Sequence, residues 1–172
     1  MDFLTLATSR YSVRKFTDMQ IEDEKLAKIL EAGRVAPTAA NRQPQRIYLV
    51  QSRQWRDKIK EFTKYDFNSP MFMIIGYDKT ISWKSRYDGH DGGPVDCAIV
   101  ATQMMLQAWE IGIATTWIAS FDPLIMKEVM ELPEEFEPVL MFAIGYAVEG
   151  YEPSPMHSQR NPLVEGINLF TK

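Results

Sequence analysis

Arg10, Ser12 and Arg14 stand two positions apart near the start of the chain. In an extended segment that spacing turns all three side chains to one face. Two guanidinium forks and a hydroxyl on one face offer the planar and short donors that phosphate oxygens accept. The same spacing also occurs on solvent-facing strands, so spacing alone leaves a phosphate site and a solvated edge both open. A second candidate lies between Pro37 and Gln45, where Thr38, Asn41, Arg42, Gln43 and Gln45 surround the small Ala39 and Ala40. Amides donate and accept at once, which suits the edge of a heteroaromatic ring carrying both carbonyl and N–H groups. A polar surface loop has the same composition.

Side chains that do chemistry themselves are scarce. The 172 residues include one cysteine, Cys97, and two histidines, His90 and His157. One cysteine permits no internal disulfide and no Cys-based zinc cage, and no metal site is expected. An enzyme of this composition would take its reactive atoms from a cofactor. No side-chain acid or base is assigned as catalytic. Cys97 reads as a small apolar core residue, His157 as structural or solvated, and His90 as a solvated surface residue or, as the alternative, a substrate contact.

The net charge of −4 argues against nucleic-acid binding through bulk positive charge. Its distribution is uneven. Residues 1–64 carry 13 Lys and Arg against 8 Asp and Glu, whereas residues 65–172 carry 6 against 15. Arg160 follows a stretch from Glu128 to Gln159 that has no Lys or Arg. A basic N-terminal cluster fits a small anion or a solvated face.

The elements that must position these residues can be read from periodicity and punctuation. Asp2 to Thr8 suits a short helix. Thr17 or Asp18 begins a turn into a second helix that ends near Gly33, with Glu22, Asp23 and Glu24 at its N-terminal end and Leu26, Ile29 and Leu30 as its stripe. Ile47–Val50 reads as a strand, Ser52–Phe62 as a capped helix, and Met71–Gly76 as a buried strand. Ser82–Gly93 has no period and reads as a long loop or lid, with Trp83, Arg86 and Tyr87 facing substrate or merely shielding the site. Pro94 opens a helix over Val95–Ile111 that Gly112 closes. It is apolar nearly all round, so it belongs in a core or against a partner chain. Ala114–Ile118 and Val139–Ala147 are strands around a helix over Pro123–Met130. Ile167, Leu169 and Phe170 give the tail, 161–172, a strand-like pattern.

This is an α/β (α+β) chain, residues 1–172 forming one domain, with a mixed or antiparallel sheet flanked by helices on both faces. Neither GxGxxG nor GxxxxGK[ST] occurs. The N-terminus lacks a signal-peptide pattern, and Cys97–Ile118 is too polar to span a membrane. A cytoplasmic protein that does not engage a membrane is expected.

Two segments, Ser9-Arg10-Tyr11-Ser12-Val13-Arg14-Lys15-Phe16 and Ala36-Pro37-Thr38-Ala39-Ala40-Asn41-Arg42-Gln43-Pro44-Gln45, resemble the nitroreductase family of FMN-dependent flavoproteins. Val95-Asp96 through Gly112–Ile118, the Ile144-Gly145-Tyr146 turn and Arg160-Asn161-Pro162-Leu163 are similar to that family in order and spacing. The resemblance implies a nitroreductase-like fold and a homodimer with FMN sites at the subunit interface. Arg10, Ser12 and Arg14, with the backbone at Tyr11, would hold the phosphate, ribityl chain and pyrimidine edge, and Arg160 would return to the same phosphate. Pro37, Thr38, Ala39, Asn41 and Gln43 would approach from the other subunit. Trp117, Ile118 and Ala119 would line the isoalloxazine, and Gly145 would leave room beside it. The helix after Pro94 would form the dimer core.

The implied activity is hydride transfer from NADH or NADPH to flavin N5. Reduction of a nitroaromatic or quinone-like acceptor would follow in a ping-pong cycle. Donors at the pyrimidine edge would stabilise the reduced flavin and apolar walls would exclude water. Reductive dehalogenation, flavin destruction and a non-catalytic flavin-binding role are the alternatives that the same resemblance admits.

Overall fold

A computed structural model of the chain describes residues 2–170. Four strands, β1 (Gln45–Val50), β2 (Met71–Asp78), β3 (Ala114–Ile118) and β4 (Phe136–Gly145), form one sheet in the order β1-β2-β4-β3. Every pairing is antiparallel, so of the two sheet types expected the sheet is the antiparallel one. The register of β2 on β4 slips between Ile75 and Gly76. A Cβ at Gly76 would lie 2.2 Å from the Glu137 carbonyl oxygen, so the bulge requires glycine there.

Among the described residues, the α-helices α1 (Phe3–Ser9) and α2 (Asp23–Arg34) precede β1, and α3 (Arg53–Lys58), α4 (Gly93–Glu110) and α5 (Pro123–Val129) join the strands in turn. β2 and β4 read in sequence as continuous apolar runs because both of their faces are covered. Met71, Met73 and Ile75 of β2 join Leu140, Phe142 and Ile144 of β4 against α2 and α4. Phe72, Ile74, Met141 and Ala143 turn the other way, onto Ile59 behind α3 and Met126 of α5. Helices therefore cover both faces, as expected.

Local chemistry sets the helix ends. Asp91 Oδ1 accepts the Gly93 N–H at 2.9 Å, and Pro94 stands in the first turn of α4. Gly112, at φ 79°, follows its C-terminus. Asp122 accepts the N–H groups of Leu124 and Ile125 at the start of α5. Gly33 of α2 lets α4 approach, since a Cβ there would lie 2.7 Å from Met104 Sδ.

α2 begins at Asp23, beyond the turn expected from Thr17 or Asp18, with Asp23 and Glu24 in its first turn as expected. Two expectations are corrected. β4 starts at Phe136 and ends at Gly145, displaced from the expected 139–147. Residues 163–166 form a 3₁₀ turn and 167–170 form no strand, since no neighbouring edge pairs with them; Leu163, Leu169 and Phe170 stand exposed. The rest of the expected tail, Thr171 and Lys172, lies outside the described residues. Among the described residues, no helix is long and apolar enough to cross a membrane.

Candidate functional site

After α1 the chain from Arg10 runs extended along the edge of β3. Val13 donates its N–H to the Thr115 carbonyl at 3.1 Å and accepts from the Thr116 hydroxyl. Farther on, Val148 donates to Lys15 at 3.2 Å and Thr17 donates to Tyr146 at 2.8 Å. Val13 is thereby buried, while Ser12 is half-buried and Arg14 exposed.

Tyr11 ties this segment to the C-terminal region. Its ring meets Trp109 edge-on at 4.8 Å, Tyr151 in a stack at 6.2 Å, and His157 edge-on at 5.8 Å. Its hydroxyl donates to the Tyr151 carbonyl at 3.0 Å, while the Tyr151 hydroxyl accepts the Arg14 N–H at 3.1 Å. The latch brings residues 151–160 back over the N-terminal segment. Arg160 donates to the carbonyls of His157 and Gln159, at 2.6 and 2.7 Å.

Arg160 thereby comes within electrostatic reach of Arg10. Partial burial, and then the charge of Arg160, hold the Arg10 guanidinium below its ordinary range. Among the described residues, no carboxylate forms an ion pair with Arg10, Arg14 or Arg160. An anion between two such cations would relieve their repulsion. The spacing of Arg10, Ser12 and Arg14 alone admitted a solvated strand; the proximity of Arg160 to Arg10 favours the anion.

Next to Arg14 is a cavity of about 230 Å³, walled by Tyr65, Phe67, Trp117, Ile118, Ala119 and Ser120. Trp117 is braced edge-on by Phe142 at 5.8 Å. Ile118 is buried in the core beside Phe72, whereas Ala119 is exposed. Phe67 and Asn68 hold left-handed backbone, at φ 51° and 49°. For an aromatic residue this conformation is rare and marks strain held by its surroundings. Tyr65, Phe67 and Ser120 escape sequence reasoning because no spacing or motif announces them. A positive φ leaves no trace when the residue is phenylalanine. Gly145 packs against Pro70 and Phe16, where a Cβ would lie 2.7 Å from Pro70. Its missing side chain is therefore accounted for within the chain.

The amide-rich loop is built differently. Ala40, Asn41 and Gln43 all have left-handed backbone, at φ 51°, 53° and 51°. Gln43 donates its N–H to Thr38 Oγ1 at 3.0 Å, and its side-chain amide donates to the Asn41 carbonyl at 3.2 Å. Pro37 is exposed, Thr38 and Ala39 half-buried, and Asn41 and Gln43 exposed. The Ala39 N–H donates to Asp96 Oδ1 at 2.8 Å, which fastens the loop to α4. Strain of this kind gathers at functional loops. Among the described residues, no hydrogen bond, ion pair or ring contact joins this loop to the Arg10–Arg160 cluster, so within one chain the two stand apart.

Residues 82–93 pack beside that loop, with Gly92 against Ala39. Lys84 and Asp91 form a bridge, and the Asp91 carboxylate also accepts from Lys84 Nζ and the Tyr77 hydroxyl. Trp83 is half-buried, while Arg86, Tyr87 and His90 are exposed. Cys97 is fully buried, and its thiol is pushed up to about 12 by burial, then by Asp96 and Asp91. A thiol so placed is inert at neutral pH. No group of three or more His, Cys, Asp or Glu side chains among the described residues is arranged to hold a metal ion.

A solved structure of a nitroreductase family protein from Clostridium difficile 630 shares 35% identity and a TM-score of 0.92, with 100% of each chain covered. A nitroreductase family protein from Clostridium novyi NT matches at 26% identity and a TM-score of 0.79, over 87% of each chain. A Bacillus subtilis protein named FMN reductase (NAD(P)H) is 26% identical over 83% of this chain and 64% of its own length. The family model described as the nitroreductase family matches residues 7–69 and 64–146, a span that includes the Arg10 segment, the strained loop and the walls of the cavity. With that match and this sheet and helix arrangement, the chain belongs to the nitroreductase family.

Proposed function

We propose that the protein is an FMN-dependent oxidoreductase that takes hydride from NADH or NADPH and reduces a nitroaromatic or quinone-like acceptor by a ping-pong mechanism. The observation that supports the reading is that Arg160 lies within electrostatic reach of Arg10 while, among the described residues, neither forms an ion pair with a carboxylate. A phosphate monoester supplies the missing charge, and the adjoining cavity beside Arg14 is walled by aromatic and small side chains suited to a flat ring. The Bacillus subtilis relative's name, with FMN and NAD(P)H in it, agrees.

FMN, when bound, supplies the centre that accepts hydride and passes electrons on. The chain's own residues do the rest. Arg10, Ser12 and Arg160 hold the phosphate, with Tyr11 fixing their backbone. Arg14, which lines the cavity, would help hold the pyrimidine edge and would offset negative charge on it. Trp117, Ile118 and Ala119 exclude water from one side, and Gly145 lies at the end of the same strand pair. Pro37, Thr38, Ala39, Asn41 and Gln43 complete the site from a second copy of the chain, which explains why the loop stands apart from the cations of its own chain. A homodimer would also cover the outer face of α4, where Val95 and Ile99 stand exposed, and the groove lined by Phe3, Leu6, Val35 and Leu106. We place this single-domain enzyme in the cytoplasm.

Titration of the purified protein with FMN, followed by gel filtration and absorption spectroscopy, tests the reading. Flavin that co-elutes with protein at one per chain is expected. Protein that emerges colourless after saturation with FMN overturns it.

A further inference from the structure

Asp96 lies in the first turn of α4 and is only 2% exposed. Its Oδ1 accepts the Ala39 N–H at 2.8 Å, while its Oδ2 is buried with no hydrogen-bond partner. A buried carboxylate oxygen without a partner costs stability, and an apolar residue in this helix would avoid that cost. The positive end of α4 offsets part of the charge but leaves Oδ2 unsatisfied.

What the carboxylate provides is a fixed acceptor at the entrance to the strained loop. Ala39 is followed directly by Ala40 and Asn41 in left-handed backbone. Alanine disfavours that conformation and has no side chain with which to hold it, so it must be imposed from outside. The Thr38–Gln43 hydrogen bond closes the loop on itself, and the Asp96–Ala39 bond fastens it to α4.

We propose that Asp96 is a positioning residue for the cofactor site. It holds loop 37–43 in its left-handed form on the first turn of α4, so that the loop presents Thr38, Ala39 and Asn41 to FMN in the assembled dimer. The proposal rests on the reading that this loop borders FMN. Asp96 itself touches no reacting atom.

Two measurements on Asp96→Ala and Asp96→Asn test it: amide hydrogen exchange of residues 38–43 in the FMN-free protein, and FMN affinity by flavin fluorescence. Asp96→Ala is expected to speed loop exchange and weaken FMN binding by about tenfold each, the scale of one lost charge-assisted hydrogen bond. Asp96→Asn keeps an oxygen acceptor and should stay within about threefold of the parent on both counts. Unchanged loop exchange in Asp96→Ala overturns the proposal. So does a faster loop with unchanged FMN affinity, or an Asp96→Asn variant as impaired as the alanine. If Asp96→Ala does not fold, Ala39→Pro removes the same donor. Thr38, at φ −132° and ψ 156°, already has the extended backbone that precedes proline. Undiminished FMN affinity in that variant overturns the proposal too. Failure of the unsubstituted protein to bind FMN would instead strike the reading beneath it.

Discussion

Arg160→Ala separates two effects that the like-charged pair combines. Without ligand, Arg10 and Arg160 repel each other, and among the described residues neither forms an ion pair with a carboxylate. Removing an exposed member of such a pair should change stability by no more than about 0.5 kcal/mol, in either direction. With a phosphate bound, each guanidinium gains charge-assisted hydrogen bonds that contribute about 1.5–3 kcal/mol. Arg160 is exposed, so the lower part of that range applies, and its loss should weaken FMN binding about 10–30-fold. Riboflavin has the same ring without the phosphate and serves as the control. Fluorescence titrations of parent and variant with both ligands, with thermal denaturation of the flavin-free proteins, complete the experiment. The expected pattern is a loss confined to FMN, with riboflavin affinity and Tm nearly unchanged. Equal losses for FMN and riboflavin, or none for either, would refute the assignment of Arg160 to the phosphate.

Gly76→Ala places a Cβ 2.2 Å from a backbone oxygen and 2.5 Å from the Phe136 ring, neither at the end of a flexible side chain. We expect a loss of about 3 kcal/mol in urea denaturation, and a nearly unchanged midpoint would contradict the bulge. Burial raises the pKa of the Asp91 carboxyl, but hydrogen bonds from Lys84, the Gly93 N–H, Ser82 and Tyr77 outweigh it and lower the pKa to about 2. A depressed carboxyl stabilises the fold above its unfolded value of 3.8 and loses that contribution as pH falls towards 2. Asp91→Asn should therefore cost about 2 kcal/mol at pH 6 and progressively less below pH 4; a pH-independent difference would contradict the network. Tyr151→Phe keeps the stack on Tyr11 but removes the acceptor for the Arg14 N–H, and a fall in FMN affinity of about fivefold is expected. Unchanged affinity would separate the latch from the site.

The elements that carry the site were legible where one residue type has one conformational meaning. Pro94 and Gly112 bracket α4 because each suits only its own helix end. Pro37 and Pro44 mark the loop, and its amides mark its polarity. The left-handed turn at Ala40 was not legible, because alanine carries no preference for it and the Asp96 bond comes from 57 residues away. Asp96 stood in a family-like segment, but its hold on the loop was hidden in a helix read by its apolar residues. Tyr65 and Phe67 lie in no motif or periodic pattern, and the pairing of Tyr11 with Tyr151 spans 140 positions. The tail shows the opposite failure. Ile167, Leu169 and Phe170 alternate as a strand would, but alternation cannot supply the edge on which a strand must pair.

The most direct test of the central claim is anaerobic mixing of the FMN-loaded protein with NADPH or NADH, then with a nitroaromatic or quinone, while flavin absorbance is recorded. The account predicts bleaching in the first step and return of the oxidised colour in the second, without the nucleotide and the acceptor bound together. Flavin that stays bound and stays oxidised with both nucleotides would contradict it.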